Sequence, residues 1–165
     1  MHRNKSHVEL LLGLYDAANT DALASLLHQP DERSKELDTK AFYRAGRAMY
    51  ELADYQAAKT MFDRCLQLSP RDREGLRELK RTVCRITEEQ YGHFDFTAMS
   101  ENITITNDFR AKQASYVRRT EIRQTEDRGK GLFATQPIAC GDIVLCEKAF
   151  VAEDPPCLKP HKQES

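Results

Sequence analysis

Apolar residues change their spacing twice along this chain. From residue 6 to 96 they recur every three or four positions among Leu, Ala, Arg, Glu and Gln, the spacing of helices with one buried face. Residues 97–115 are polar, carry few large hydrophobics and read as a linker. From Tyr116 to Val151 β-branched residues and glycines rise, and apolar positions fall in short runs bounded by turn residues, as in strands. Residues 152–165, with Pro155, Pro156 and Pro160 among charges, read as a disordered tail. The pattern predicts an α+β chain, a helical array followed by a small β segment.

The best-defined object in the helical part runs from Ala41 to Pro70. It predicts two helices joined at Ala53-Asp54, with Asp54 the N-cap of the second. Small residues Ala45, Gly46 and Ala48 alternate with Phe42, Met49 and Leu52 on the first helix, and Ala58, Phe62, Cys65 and Leu66 follow on the second. Glycine inside a helix costs about 1 kcal/mol against alanine, so Gly46 needs a packing reason. Close approach of the antiparallel partner helix, whose Ala58 is equally small, supplies one.

This spacing resembles the tetratricopeptide (TPR) repeat. Phe42 stands at the usual Trp position, Ala45 at a Leu and Met49 at an aromatic position. Gly46, Ala58, Phe62, the small Cys65 and Pro70 also fit, whereas Ala53 replaces the usual glycine before Asp54. A solenoid repeat implies neighbours. A step of about 34 residues backwards lands on Val8, Leu11, Leu12, Tyr15 and Ala24, predicting a degenerate repeat with Thr20 as an N-cap and Pro30 cutting it short. The forward step lands on Leu76, Leu79 and Val83. With Ile86 these predict one face of a capping helix begun by Ser69-Pro70, with a capping-box-like Asp72, and ended by Gly92 to Phe96.

The β segment predicts a strand from Tyr116 to Arg123, a tight loop at Arg128–Gly131 and a second strand at Leu132–Thr135. A turn at Cys140-Gly141-Asp142 and a third strand from Ile143 to Val151 follow. A Gly-x-Gly triplet alone identifies nothing, and a dinucleotide fingerprint needs a third glycine and a following helix. The whole segment, Arg128-Gly129-Lys130-Gly131-Leu132-Phe133-Ala134-Thr135 through Pro137-Ile138, Gly141-Asp142 and Cys146-Glu147-Lys148, resembles the opening of the SET domain of protein-lysine methyltransferases. Preceded by a TPR array, it is similar to fungal-type TPR–SET proteins, relatives of the SET-and-MYND-domain methyltransferases. The resemblance implies S-adenosylmethionine (SAM) as cofactor and places Arg128, Gly129, Lys130 and Gly131 beside its methionine moiety. The family's later Asn-His and Glu-Leu-x-x-Asp-Tyr motifs do not occur. Glu51-Leu52-Ala53-Asp54-Tyr55 is one residue too short and belongs to the repeat turn. The chain is therefore expected to hold the first SET strands and to be catalytically incomplete, with no catalytic residue assigned.

Composition narrows the alternatives. The 165 residues carry 25 Lys plus Arg against 26 Asp plus Glu, a net charge of −1, which gives bulk nucleic-acid binding no support. Arg71, Arg73, Arg77, Lys80, Arg81 and Arg85 cluster, yet Asp72, Glu74 and Glu78 are interleaved with them. The longest apolar stretch, Val8 to Leu14, is too short for a membrane span. Five cysteines, odd in number and without Cys-x-x-Cys spacing, fit reduced thiols in the cytoplasm or nucleus and offer no zinc site. Two functional classes stay open: the amino-terminal part of a TPR–SET methyltransferase, and a non-catalytic module binding a protein or peptide through the TPR-like array. TPR grooves that clamp a carboxylate terminus use Lys, Arg and Asn on the first helices; Arg44 and Arg47 lie on such a helix, but no Asn joins them, and exposed arginines are usually a solvated face.

Overall fold

Helices α1 (His2–Leu11), α2 (Tyr15–Ala24), α3 (Glu32–Glu51), α4 (Tyr55–Leu68) and α5 (Arg73–Tyr91) follow one another in the computed structural model, which describes residues 2–100 and 113–147. Strands β1 (Thr120–Thr125) and β2 (Gly129–Ala134) complete an α+β fold. The backbone divides into two units, Met1–Gly92 and His93–Ser165.

The α3–α4 hairpin matches the expected helix pair. Asp54 caps α4 by accepting from the Ala57 amide at 3.0 Å, and Ala53 before it is left-handed at φ +61°. That is the conformation glycine adopts without penalty, which explains why glycine is usual there. Ala41, Ala45, Gly46 and Ala48 of α3 and Ala58, Phe62 and Cys65 of α4 are buried. The close approach at Gly46 is to Phe62 rather than Ala58: a Cβ built there would stand 2.7 Å from Phe62 Cε1. Burying the Phe62 ring contributes about 1.5–3 kcal/mol. α3 also begins nine residues before Ala41, because Asp31 caps it by accepting from the Ser34 amide at 2.9 Å.

The first helix pair departs from the 34-residue step. Gly13 is left-handed at φ +75°, which ends α1 at Leu11 and makes Tyr15 the start of α2 rather than a fourth member of the α1 stripe. Thr20 is not a cap. It lies inside α2 and donates its hydroxyl to the Asp16 carbonyl at 2.9 Å. Val8, Leu11 and Leu12 are exposed, and α1 instead buries Ser6 and Glu9. The loop before α3 is held by Asp38, whose carboxylate accepts from the Leu27 and His28 amides at 2.8 and 2.9 Å.

α5 is capped by Asp72, which accepts from the Glu74 amide at 3.1 Å, not by Ser69. Gly92, left-handed at φ +67°, ends it as expected. Its orientation departs in part from the expectation from hydrophobicity: Leu79 and Ile86 are half-buried, but Leu76 and Val83 are 48% and 42% exposed, while Glu78, Thr82 and Glu88 are buried. Arginines make that burial tolerable. Arg81 lies 3.1 Å from the Glu78 carboxylate, and Arg85 lies 2.9 Å from Glu88. A buried carboxylate deprived of its partner would cost far more than an exposed leucine.

In the second unit, helical backbone at 96–100 opens with Asp95 accepting from the Ala98 amide at 2.9 Å. β1 and β2 pair antiparallel with Ile122 opposite Leu132 and Arg123 opposite Gly131. Both are shifted from the expected strands, so Gly129 and Gly131 lie in β2 and the connection is Glu126-Asp127-Arg128. Tyr116, expected in the first strand, exchanges two backbone hydrogen bonds with Cys146 instead, at 2.7 and 2.9 Å. That bridge is the pairing formed by the expected third strand among the described residues. The expected turn forms: the Asp142 amide donates to the Ala139 carbonyl at 3.1 Å, with Gly141 at φ +94° as a type II turn requires. Most of the expected linker, the end of the third strand and the tail at 152–165 lie outside the described residues.

Candidate functional site

Two places carry chemistry, one in each unit. In the first, a groove of about 570 Å³ is lined by α1, α3 and the start of α5. α3 contributes Glu36, Lys40, Tyr43, Arg44 and Arg47, positions that recur on one helical face. α1 adds His7, Leu10 and Leu11, and α5 adds Asp72 and Glu74. Arg44 and Arg47, both anticipated from the sequence, reach it in different electrostatic states. Arg47 lies 3.7 Å from the Glu51 carboxylate and 3.9 Å from Glu78. Arg44 donates to the backbone carbonyl of Arg3 at 2.9 Å. Burial, with the charge of Arg3 beside it, pushes its guanidinium pKa below the usual value. Lys40 is paired with Glu36 at 2.6 Å. Tyr43, Lys40 and His7 were not singled out from the sequence. The repeat of polar residues at 36, 40, 43, 44 and 47 on a helix whose other face is alanine was the available signal.

The cations of the α5 arginine cluster, already interleaved with acids in the sequence, pair with those acids. Arg77 and Arg81 flank Glu78, and Arg85 is paired with Glu88. Among the described residues no group of three His, Cys, Asp or Glu could hold a metal, and no helix is long and apolar enough to cross a membrane. Cys65 is buried beside Asp72, and desolvation pushes its thiol up to about 12.

In the second unit the four residues expected beside a cofactor run from Arg128 in the β1–β2 connection into β2, which holds Gly129, Lys130 and Gly131. The Arg128 amide donates to Thr125 Oγ1 at 3.2 Å, and that hydroxyl donates to the Gly129 carbonyl at 2.7 Å, closing the loop. Gly129 is left-handed at φ +74°, and nothing lies within 4 Å of where its Cβ would be. Gly131 lies under Phe133: a Cβ there would be 3.0 Å from the Phe133 ring. Arg128 and Lys130 are exposed and form no ion pair among the described residues. The hairpin thus presents one open stretch of backbone flanked by two available cations. The Pro-Ile to Gly-Asp stretch is tied to the sheet: Asp142 pairs with Arg119, and the Thr135 amide donates to the Arg119 carbonyl at 2.9 Å. The Arg119 contact holds the Asp142 carboxyl below the usual carboxylate range.

A helical hairpin array followed by a two-stranded β element is the class that these two units define. The chain is similar to a protein of Gibberella zeae named methyltransferase, 32% identical over 111 residues, which is 67% of this chain and 15% of that protein. It therefore spans about 15% of the length of the curated relative it matches, and the similarity points to a methyltransferase family. No protein-family model matches the chain, and no solved structure matches it.

Proposed function

We propose that this chain forms the amino-terminal part of a TPR–SET protein-lysine methyltransferase, with the helices as a protein-interaction array and the β1–β2 hairpin as one wall of a SAM site. The similarity to a protein named methyltransferase carries the proposal. The hairpin fits the cofactor in two respects. Gly129 leaves its backbone open on the Cβ side, and the exposed Arg128 and Lys130 are matched to the carboxylate of the methionine moiety. Bound SAM would supply an electrophilic methyl group to the amine of a lysine. The chain's own contribution is to bind and orient the cofactor, since it contains neither Asn-His nor Glu-Leu-x-x-Asp-Tyr. A single wall satisfies few of the cofactor's polar groups, so binding by this chain is expected at millimolar strength or weaker.

Titration of isotope-labelled chain with millimolar SAM tests the reading. Amide shifts confined to residues 128–131 support it, and shifts that are absent or scattered over the array remove the cofactor role. Micromolar affinity in calorimetry, or methyl transfer to a lysine peptide, overturns the view that the site is incomplete. A second reading, a non-catalytic interaction module, is favoured by the groove between α1, α3 and α5.

A further inference from the structure

We propose that the outward face of α1 is a self-association surface, on which a second copy of this chain packs its own α1 antiparallel about a twofold axis. Val8, Leu11 and Leu12 are 52%, 74% and 68% exposed, and Leu14, in the turn that follows, is 53% exposed. The first three recur at i, i+3 and i+4, on one helical stripe, while the same helix buries Ser6 and Glu9. An outer unit of a stacked array stays soluble by presenting a polar outer face. Here the arrangement is inverted, with a carboxylate inside and leucines outside, and covering that stripe removes apolar surface from water.

The charges around the stripe distinguish a second copy from other occupants. The cations of α1 are already committed. Lys5 lies 3.1 Å from Glu9 and 2.5 Å from Asp21, His2 lies 2.7 Å from Asp21, and Arg3 donates to the Ser25 carbonyl at 2.9 Å. A lipid surface, which holds an amphipathic helix partly by attracting its free cations, finds little to attract. In α1 and the first turn of α2, His7 and Asp16 are exposed and have no ion pair among the described residues. His7 precedes the stripe and Asp16 follows it.

A self-complementary pair needs this arrangement, because each surface must supply both members of every contact. Antiparallel packing places Leu11 and Leu12 beside their counterparts at the axis and Val8 towards Leu14 of the second copy. It also carries His7 of each copy towards Asp16 of the other, twice by symmetry, and opposes the two helix dipoles favourably. A parallel pairing would set Asp16 against Asp16. Four aliphatic side chains per copy form a patch smaller than the roughly 800 Å² per partner of a standard interface. The association is therefore weak and depends on concentration.

Sedimentation equilibrium of the full 165-residue chain tests the proposal. From about 10 μM to about 1 mM, the range suited to a small interface, the average mass should rise towards that of two copies. Leu12→Glu puts a carboxylate at the centre of the contact and should weaken the dimer at least about tenfold. His7→Glu sets it against Asp16 of the second copy and should weaken association, and adding Asp16→Lys should restore it. Ile122→Glu, on exposed β1, should leave the average mass unchanged. Thermal melting confirms that each variant is folded, and Leu12→Glu alone decides the matter should the charge variants not fold.

A chain still monomeric at about 1 mM overturns the inference. So does association lost in Ile122→Glu but kept in folded Leu12→Glu, or a folded His7→Glu/Asp16→Lys chain that fails to recover. A monomer that sediments with phosphatidylserine vesicles, and ceases to in Leu12→Glu, assigns the face to a lipid surface instead. No readout involves SAM or methyl transfer, so the outcome here and that of the methyltransferase proposal are independent.

Discussion

Replacing Gly46 by alanine sets two well-characterised effects against each other. Alanine in a helix interior is favoured over glycine by about 1 kcal/mol, so at an open site the change stabilises. Here the added Cβ would stand 2.7 Å from Cε1 of Phe62 and 2.9 Å from both Cδ1 and Cζ. Carbon atoms prefer separations of about 3.5–4.0 Å, so the ring must retreat by about 1 Å. It cannot do so freely, being fully buried with its edge against Tyr43 at a 6.1 Å centroid distance. Overpacking of this kind costs about 1–3 kcal/mol, and the net expectation is a loss of about 1 kcal/mol. Urea unfolding followed by helical circular dichroism measures it. In a double-mutant cycle, Phe62→Leu should relieve the clash, making Gly46→Ala milder by about 1 kcal/mol in that background. A higher midpoint for Gly46→Ala alone would refute the close α3–α4 approach.

Ala53→Gly should stabilise the array by about 0.5–1 kcal/mol, because relief of about 1–2 kcal/mol of left-handed strain exceeds the entropy that glycine adds to the unfolded chain. A thermal midpoint that falls would mean that residue 53 is not left-handed. Asp21 accepts hydrogen bonds from Lys5 and His2, which hold its carboxyl down to about 2. A depressed acid contributes stability that is fully present above the unfolded value near 4 and is lost as pH falls through about 2. Melting temperatures of the unaltered chain and Asp21→Asn should therefore differ at neutral pH and converge towards pH 2; a constant difference across that window would contradict the pairing.

The α3–α4 hairpin was readable because each of its signals is local. Asp54 as a cap, a glycine inside a helix and a stripe of alanines need no knowledge of the rest of the chain, although the residue that Gly46 meets is Phe62 and not the expected Ala58. The outer helices were not readable in the same way. Hydrophobic spacing assigns Leu76, Leu79 and Val83 to the inside of α5, yet Glu78 is 2% exposed. Its burial depends on Arg47, 31 residues earlier and in a different helix, and on Arg81, which stacks 4.0 Å over the Tyr50 ring. No periodicity encodes such a pairing. A fixed repeat step likewise misses Gly13, where one left-handed residue ends a helix whose apolar stripe runs on. In the hairpin, alternation located the strands but not their register, because glycines look like turn residues even when they lie in a strand. Gly131 is there to make room for Phe133, a reason visible only once the ring is placed. Of the groove, the sequence pointed to Arg44 and Arg47 but not to the difference between them, which depends on which carboxylates fold back onto α3.

Polar contacts tie both ends of the first helix pair to α3. Asp38 holds the loop that leaves α2, Arg44 grips the Arg3 carbonyl, and Arg3 in turn donates to the Ser25 carbonyl at 2.9 Å. In a stacked array, the stability of a unit separates into its own share and the share lent by its neighbour. α1 buries a serine and a glutamate where a self-sufficient helix would bury leucines, so its own share is small. The first pair consequently persists only while α3 stands behind it. Protection of the α2 amides against hydrogen exchange then follows the opening of α3, and the amino-terminal pair has no melting transition of its own.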